Sequence, residues 1–354
     1  MSASCLRRWH RGVLLIAVWS LMAAVDANLV TKAPPHRSSG YAGELDVHGE
    51  QRTFRFHVPP AFRATDSLPL VIVLHGGGGS ARNMEAFTVG RFTELAETEP
   101  FIVVYPEAMK FFIAKRNWND GRNVLSYPAH RRQVDDVGFL SALIDYFVER
   151  FHADPQRVYV TGVSNGGIMS NRVGCELSDK VAAIAPVIGY LAEPLQASCS
   201  PARPVSVLLI ASTDDPMVPW AGGAVHLGRR TVGRVLSAEE TVARWVEHDR
   251  CKRQPQVVTL EDRDPQDGSR VTRITYGSCR EGTEVALYKI EGGGHTWPGG
   301  YQYVTPALVG TTNQDIDAAQ EIWAFFRRHA RGSPLTPGAC LDASALRQRS
   351  GFAQ

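Results

Sequence analysis

The sequence predicts an α/β protein, built on a mainly parallel central sheet with helices covering both faces. Two observations carry that expectation. Short, wholly apolar runs, Leu70 to Leu74 and Phe101 to Tyr105 the clearest, suit strands buried on both sides. Between such runs lie stretches whose apolar residues return at helical spacing, the alternation expected when crossover helices link parallel strands. Composition agrees: 44% hydrophobic and 21% charged residues over 354 positions exclude disorder, collagen-like repeats and a long coiled coil.

Each element has its own signal. Thr53 to Val58 alternates, with Phe54, Phe56 and Val58 on one face and Thr53, Arg55 and His57 on the other, so one side of that strand meets solvent. Leu70 to Leu74 and Phe101 to Tyr105 follow as central strands, and between them Met84, Phe87, Phe92 and Leu95 form a helical stripe. Asp135 and Asp136 cap a helix whose apolar face is Val137, Leu140, Ile144, Phe147 and Phe151. Arg157 to Thr161 and Val205 to Ile210 are further strands. Ser237-Ala238-Glu239-Glu240 is a capping box opening a helix that carries Val242, Trp245 and Val246. Val271 to Tyr276 and Glu284 to Ile290 read as late strands, and a last helix begins near Thr312 with Ile316, Ile322 and Phe326 inward.

Around this body, residues 1–27 read as a signal peptide, 28–40 as a polar leader, 41–331 as one catalytic domain and 332–354 as a poorly ordered tail. Arg7, Arg8 and Arg11 precede the apolar run Val13 to Val25, and Val25-Asp26-Ala27 offers small residues before a cut near Asn28. The run falls short of the roughly 20 residues that span a bilayer; the competing reading is a retained anchor. The expectation is an exported, soluble chain with no membrane partner. Formal charge is +2, and cleavage would remove three arginines and one aspartate, leaving a neutral chain. Such a chain has no electrostatic footprint for a polyanion, so no nucleic acid is expected as partner.

Export changes how cysteines read. Cys5 leaves with the signal, and Cys175, Cys199, Cys251, Cys279 and Cys340 remain. Proximity in sequence suggests Cys175 with Cys199 and Cys251 with Cys279, with Cys340 left over. No C-x-x-C occurs, so zinc is not expected.

Gly162-Val163-Ser164-Asn165-Gly166 is a G-x-S-x-G directly after a strand and before a segment rich in small residues. A sharp strand-to-helix turn holds such a serine in a strained conformation, and the helix N-terminus points free amides at developing negative charge. A serine hydroxyl needs a base, and the base needs an acid. Downstream lie His226, His248, His295 and His329. His248 and His329 belong to amphipathic helices, and His226 sits in a Gly-rich loop with no strand before it. His295 follows the strand Glu284 to Ile290 inside a run of glycines, the placement catalysis requires. The acid is expected after Val205 to Ile210, where Pro216 holds Asp215 extended; Asp214 is the runner-up. His75-Gly76-Gly77-Gly78-Gly79 follows Leu70 to Leu74, where backbone N–H groups can crowd a substrate oxygen without a Cβ in the way. One donor amide is expected from Gly76 or Gly77 and the other from Asn165. A phosphate-binding loop is excluded by the lack of a following Lys-Ser/Thr. Candidate pocket walls are Trp118, Trp220, Trp297 and Tyr301, and the segment Glu107 to Gln133, with Phe111 and Phe112, is a candidate lid or rim.

These residues, HGGGG at His75, VDDVGFL at Val134, VTGVSNGG at Val160, DPMVPWAGG at Asp215 and GGGHTWPG at Gly292, resemble the secreted esterase family of polyhydroxybutyrate depolymerase-like, feruloyl and acetylxylan esterases. The resemblance runs from about Leu45 to His329. It implies an α/β-hydrolase fold and places that family's nucleophile, acid and histidine on Ser164, Asp215 and His295. It also supports the two cysteine pairings. Many members have a cysteine in the oxyanion loop, whereas this loop is all glycine after His75. Polymer-degrading members add a linker and a polymer-binding domain, so the expected substrates here are short hydroxyalkanoate oligomers or related soluble esters. Acyl transfer to water by these groups needs no metal, and no cofactor is expected. The alternative is a feruloyl or acetylxylan esterase; an acyltransferase or a non-catalytic polymer-binding protein ranks lower.

Overall fold

The computed structural model describes residues 40–60, 62–63, 65–111 and 115–332; the expected signal peptide, the expected leader before Gly40, Phe112, Cys340 and the tail from Ser333 lie outside the described residues. The strands, in chain order, are β1 (Tyr41–Val47), β2 (Glu50–His57), β3 (Leu70–Leu74), β4 (Ile102–Pro106), β5 (Lys110–Phe111), β6 (Lys115–Arg116) and β7 (Val158–Val163). After them come β8 (Ala183–Val187), β9 (Ser206–Ser212), β10 (Gly223–Leu227), β11 (Arg230–Val235), β12 (Gln256–Thr259), β13 (Arg270–Tyr276) and β14 (Val285–Glu291).

Ten of them form one sheet in the order β1-β2-β4-β3-β7-β8-β9-β14-β13-β12. From β4 to β14 every neighbouring pair is parallel, and an antiparallel hairpin closes each edge. Burial on both faces explains the unbroken apolar runs. In β3, Leu70, Ile72 and Leu74 join one core layer while Val71 and Val73 join the other. Helices Asp136–Phe151, Asn165–Glu176 and Ala238–His248 cover the first layer; Ala81–Phe87, Arg91–Thr98 and Ala318–Phe326 cover the second.

Several expectations need correction. The stripe from Met84 to Leu95 belongs to two helices, because Val89 and Gly90 both take positive φ and turn the chain between them. The last helix starts at Ala318, capped by the Asp317 carboxylate accepting from the Ala319 and Gln320 amides, not near Thr312. Ile316 is buried from a loop, which is why its spacing mimicked a helix. His226 lies within β10, half of a hairpin with β11, rather than in a loop. Strand β8 has no clear signal in the sequence, because its short alanine-rich run contains Pro186, which removes a ladder donor yet sits in the central sheet. Strands β1 and β12 are exposed edges with little apolar alternation.

The bonds Cys175–Cys199 and Cys251–Cys279 are formed. No helix among the described residues is long and apolar enough to cross a membrane.

His329 is 5% exposed, its Nε2 has no hydrogen-bond partner among the described residues, and burial first, then Arg328, pulls its imidazole down to about 3. The unfolded chain takes up a proton here near pH 6.5 while the fold refuses it, so this residue costs stability as pH falls below 6.5, by about 1.4 kcal/mol per unit. His329→Phe is therefore expected to match the wild type at pH 7.5 and to exceed it by about 1 kcal/mol near pH 5.5. Urea titrations at the two pH values check this; an unchanged difference between them removes the assignment.

Candidate active site

Strand β7 ends at Val163 and helix Asn165–Glu176 begins two residues later, with Ser164 between them at φ 55°, ψ −118°. A residue other than glycine at positive φ is strained, and strain of this kind concentrates at functional turns. Glycine permits the turn. A methyl on Gly166 would lie 2.4 Å from the Leu74 carbonyl oxygen, and one on Gly162 would lie 2.7 Å from the Gly166 carbonyl oxygen. Gly189 is equally constrained, since its methyl would meet the Ser164 carbonyl oxygen at 2.5 Å.

His295 leaves the loop after β14 and is 5% exposed. Its Nε2 lies 2.9 Å from Ser164 Oγ and its Nδ1 lies 2.7 Å from Asp215 Oδ2. The Asp215 carboxylate, after β9, accepts a hydrogen bond from Nδ1–H, which leaves the Nε2 lone pair facing the hydroxyl. Its other oxygen accepts from the Met217 and Val218 amides at 2.7 and 2.8 Å, so the carboxylate is held from both sides. Asp214, the runner-up, faces away and accepts from the Thr213 hydroxyl. The histidine is braced too: Tyr303, whose phenol burial pushes up to about 12, donates to the His295 carbonyl at 3.0 Å. Nothing in the sequence marked Tyr303.

The glycine loop after β3 lies against this turn. A methyl on Gly76 would be 3.7 Å from Ser164 Cβ, and one on Gly77 would be 3.8 Å from Asn165 Cβ. Asn165 is the first residue of its helix, where backbone amides have no partner within the helix. The glycine loop and the first turn of that helix therefore lie side by side next to Ser164. A hydroxyl beside an imidazole held by a carboxylate can add an oxygen nucleophile to a carbonyl.

The expected pocket walls divide. Trp220 and Tyr301 are half-buried, and Tyr301 meets Phe87 edge-on at 6.3 Å. Trp118 and Trp297 are not walls: both are buried, Trp297 against Phe92. Within the segment Glu107 to Gln133, Asn117 to Arg122 runs through the interior and so forms neither lid nor rim, whereas Leu125 is exposed. Only Asp135 caps its helix, accepting from the Gly138 amide. Asp136 is instead fully buried, taking Arg52 at 2.6 Å and the Asn119 amide at 2.7 Å, and burial above all raises its carboxyl. Asp120 forms a second buried pair with Arg122, at 2.7 Å. Among the described residues no group of three or more His, Cys, Asp or Glu is placed to hold a metal ion.

Parallel strands with helices on both faces and a serine on the strand-to-helix turn make this an α/β-hydrolase, and its class is that of the serine hydrolases acting on carboxylic esters. Residues 53–217 match the family model described as Esterase PHB depolymerase. The chain is 29% identical over 299 residues to "Putative esterase NocK" of Nocardia uniformis subsp. tsuyamanensis, covering 82% of this chain and 83% of that protein. It is 29% identical over 239 residues to Feruloyl esterase B of Piromyces equi, covering 67% of this chain but only 41% of that longer protein. Among solved structures, native sOPH superposes with a TM-score of 0.50 at 17% identity, over 86% of this chain and 92% of the other, a likeness of fold.

Proposed function

We propose that this ester hydrolase works through an acyl-enzyme on Ser164, with His295 as general base and acid and Asp215 as the group that holds it. The observation that carries the reading is the single imidazole lying within hydrogen-bond reach of both the hydroxyl and the carboxylate. His295 Nε2 takes the Ser164 proton as Oγ attacks the ester carbonyl. Asp215 keeps the imidazole in the required tautomer and stabilises its cation. The oxyanion is met by the Asn165 amide and by Gly76 or Gly77. His295 then protonates the departing alcohol, and water repeats the sequence on the acyl group.

Short hydroxyalkanoate oligomers or related soluble esters are the proposed substrates, supported by the family match. Likeness to Feruloyl esterase B favours the second reading, plant cell-wall esters. The two closed disulfides support secretion into an oxidising compartment.

A fluorophosphonate probe tests the chemistry. It is expected to label the wild type once, with the added mass on the peptide bearing Ser164, and to leave heat-denatured protein unlabelled; labelling elsewhere overturns the assignment. A panel of butyrate, hydroxybutyrate-oligomer, feruloyl and acetylated-sugar esters, read by mass spectrometry, separates the two substrate readings.

A further inference from the structure

The donor loop and the helix amide come from different parts of the chain, so something must set the gap between them. Trp118 touches both arms. The indole Nε1–H of Trp118 donates to the His75 carbonyl at 2.9 Å, at the root of the glycine loop. The peptide of the same residue clamps the Asn165 carboxamide: the Trp118 amide donates to Asn165 Oδ1 at 2.8 Å, and Asn165 Nδ2 donates to the Trp118 carbonyl at 3.1 Å.

Each arm is then locked from outside. The His75 ring lies 5.0 Å from the indole, donates from Nδ1 to the Gly76 carbonyl at 2.7 Å and accepts the Ala108 amide at Nε2. Burial pulls this imidazole down to about 4, so its proton pattern stays constant across the neutral range. On the other side Asn165 Nδ2 also donates to Asp120, which Arg122 holds, and the His130 imidazole donates from Nε2 to the Trp118 carbonyl at 3.0 Å. Trp118 itself has no exposed surface and cannot meet a substrate.

We propose that Trp118 is a positioning residue that fixes the distance between the two amide arms of the oxyanion site. This rests on the acyl-enzyme reading above. Donors displaced by a fraction of an ångström lose transition-state stabilisation while ground-state binding is little changed.

The test is Trp118→Phe, which removes the bond to the His75 carbonyl but leaves a ring beside His75 and the peptide clamp on Asn165. On p-nitrophenyl butyrate, kcat is expected to fall about tenfold or more with KM within about twofold. Affinity for butylboronic acid, which becomes tetrahedral on the serine, should fall in step with kcat. Asn165→Ala, which keeps its backbone donor but loses the clamp, should show the same split from the other arm. Wild-type turnover and its loss in Ser164→Ala establish the underlying reading first; with those in hand, these variants bear on positioning alone. Should Trp118→Phe alone fail to fold, Asn165→Ala decides. Unchanged kcat and boronate affinity in folded variants, a change in KM alone, or failure of both variants to fold overturns the proposal.

Discussion

Ser164→Ala is expected to lose hydrolysis of p-nitrophenyl butyrate by about five orders of magnitude or more, the scale on which removal of a nucleophile counts. Its melting temperature should stay close to that of the wild type. The hydroxyl contributes one hydrogen bond, to His295, and alanine fits the same turn. Removal of the oxygen leaves the donors and the Asp215–His295 pair in place, so what survives is their contribution to attack by water. A variant retaining more than about a hundredth of wild-type turnover, with contaminating esterase excluded, would place the nucleophile elsewhere.

Arg52→Met is expected to have the largest effect on stability. The guanidinium is 3% exposed, 2.6 Å from the fully buried Asp136, and lies 4.0 Å over the Phe139 ring. Methionine keeps the stem packed and deletes the charge. A buried carboxylate left without its counter-charge, holding only the Asn119 amide, then costs about 3 kcal/mol or more, a large part of the stability of an ordinary domain. The pH dependence identifies the cause. Burial already raises the Asp136 carboxyl, and loss of Arg52 raises it further. A group whose folded pKa lies above its unfolded value favours the fold while protonated and loses that contribution as pH rises. The deficit relative to the wild type should therefore be smaller at pH 5 than at pH 8. Urea titrations at both values measure it, and an equal deficit at both would trace the loss to packing. Because Asp136 holds the Asn119 amide beside Trp118, activity should decline in this variant before it unfolds.

Much of this molecule is readable in one dimension because its signals are local. Runs such as Leu70 to Leu74 announce strands covered on both faces, and the capping box at Ser237 opens the helix where it was expected. Ser164, Asp215 and His295 stand out for a related reason: each follows an apolar strand in a turn of small or restricted residues. Spacing could not show which strands would lie side by side, so β8, with its proline, and the hairpin β10–β11 have no clear signal there. Nor could it show which way an aromatic faces.

The primary order by itself determined the strand and helix menu, the nucleophile turn and the chemical groups available to it, because those depend on backbone sterics and on neighbours a few residues away. Only the tertiary structure decided that Trp118 belongs to the interior, that Asp136 answers Arg52 across 84 residues, and that one imidazole spans hydroxyl and carboxylate. Those are long-range pairings. Their partners are selected when the sheet closes and water is driven from between its layers, and no local pattern encodes that event.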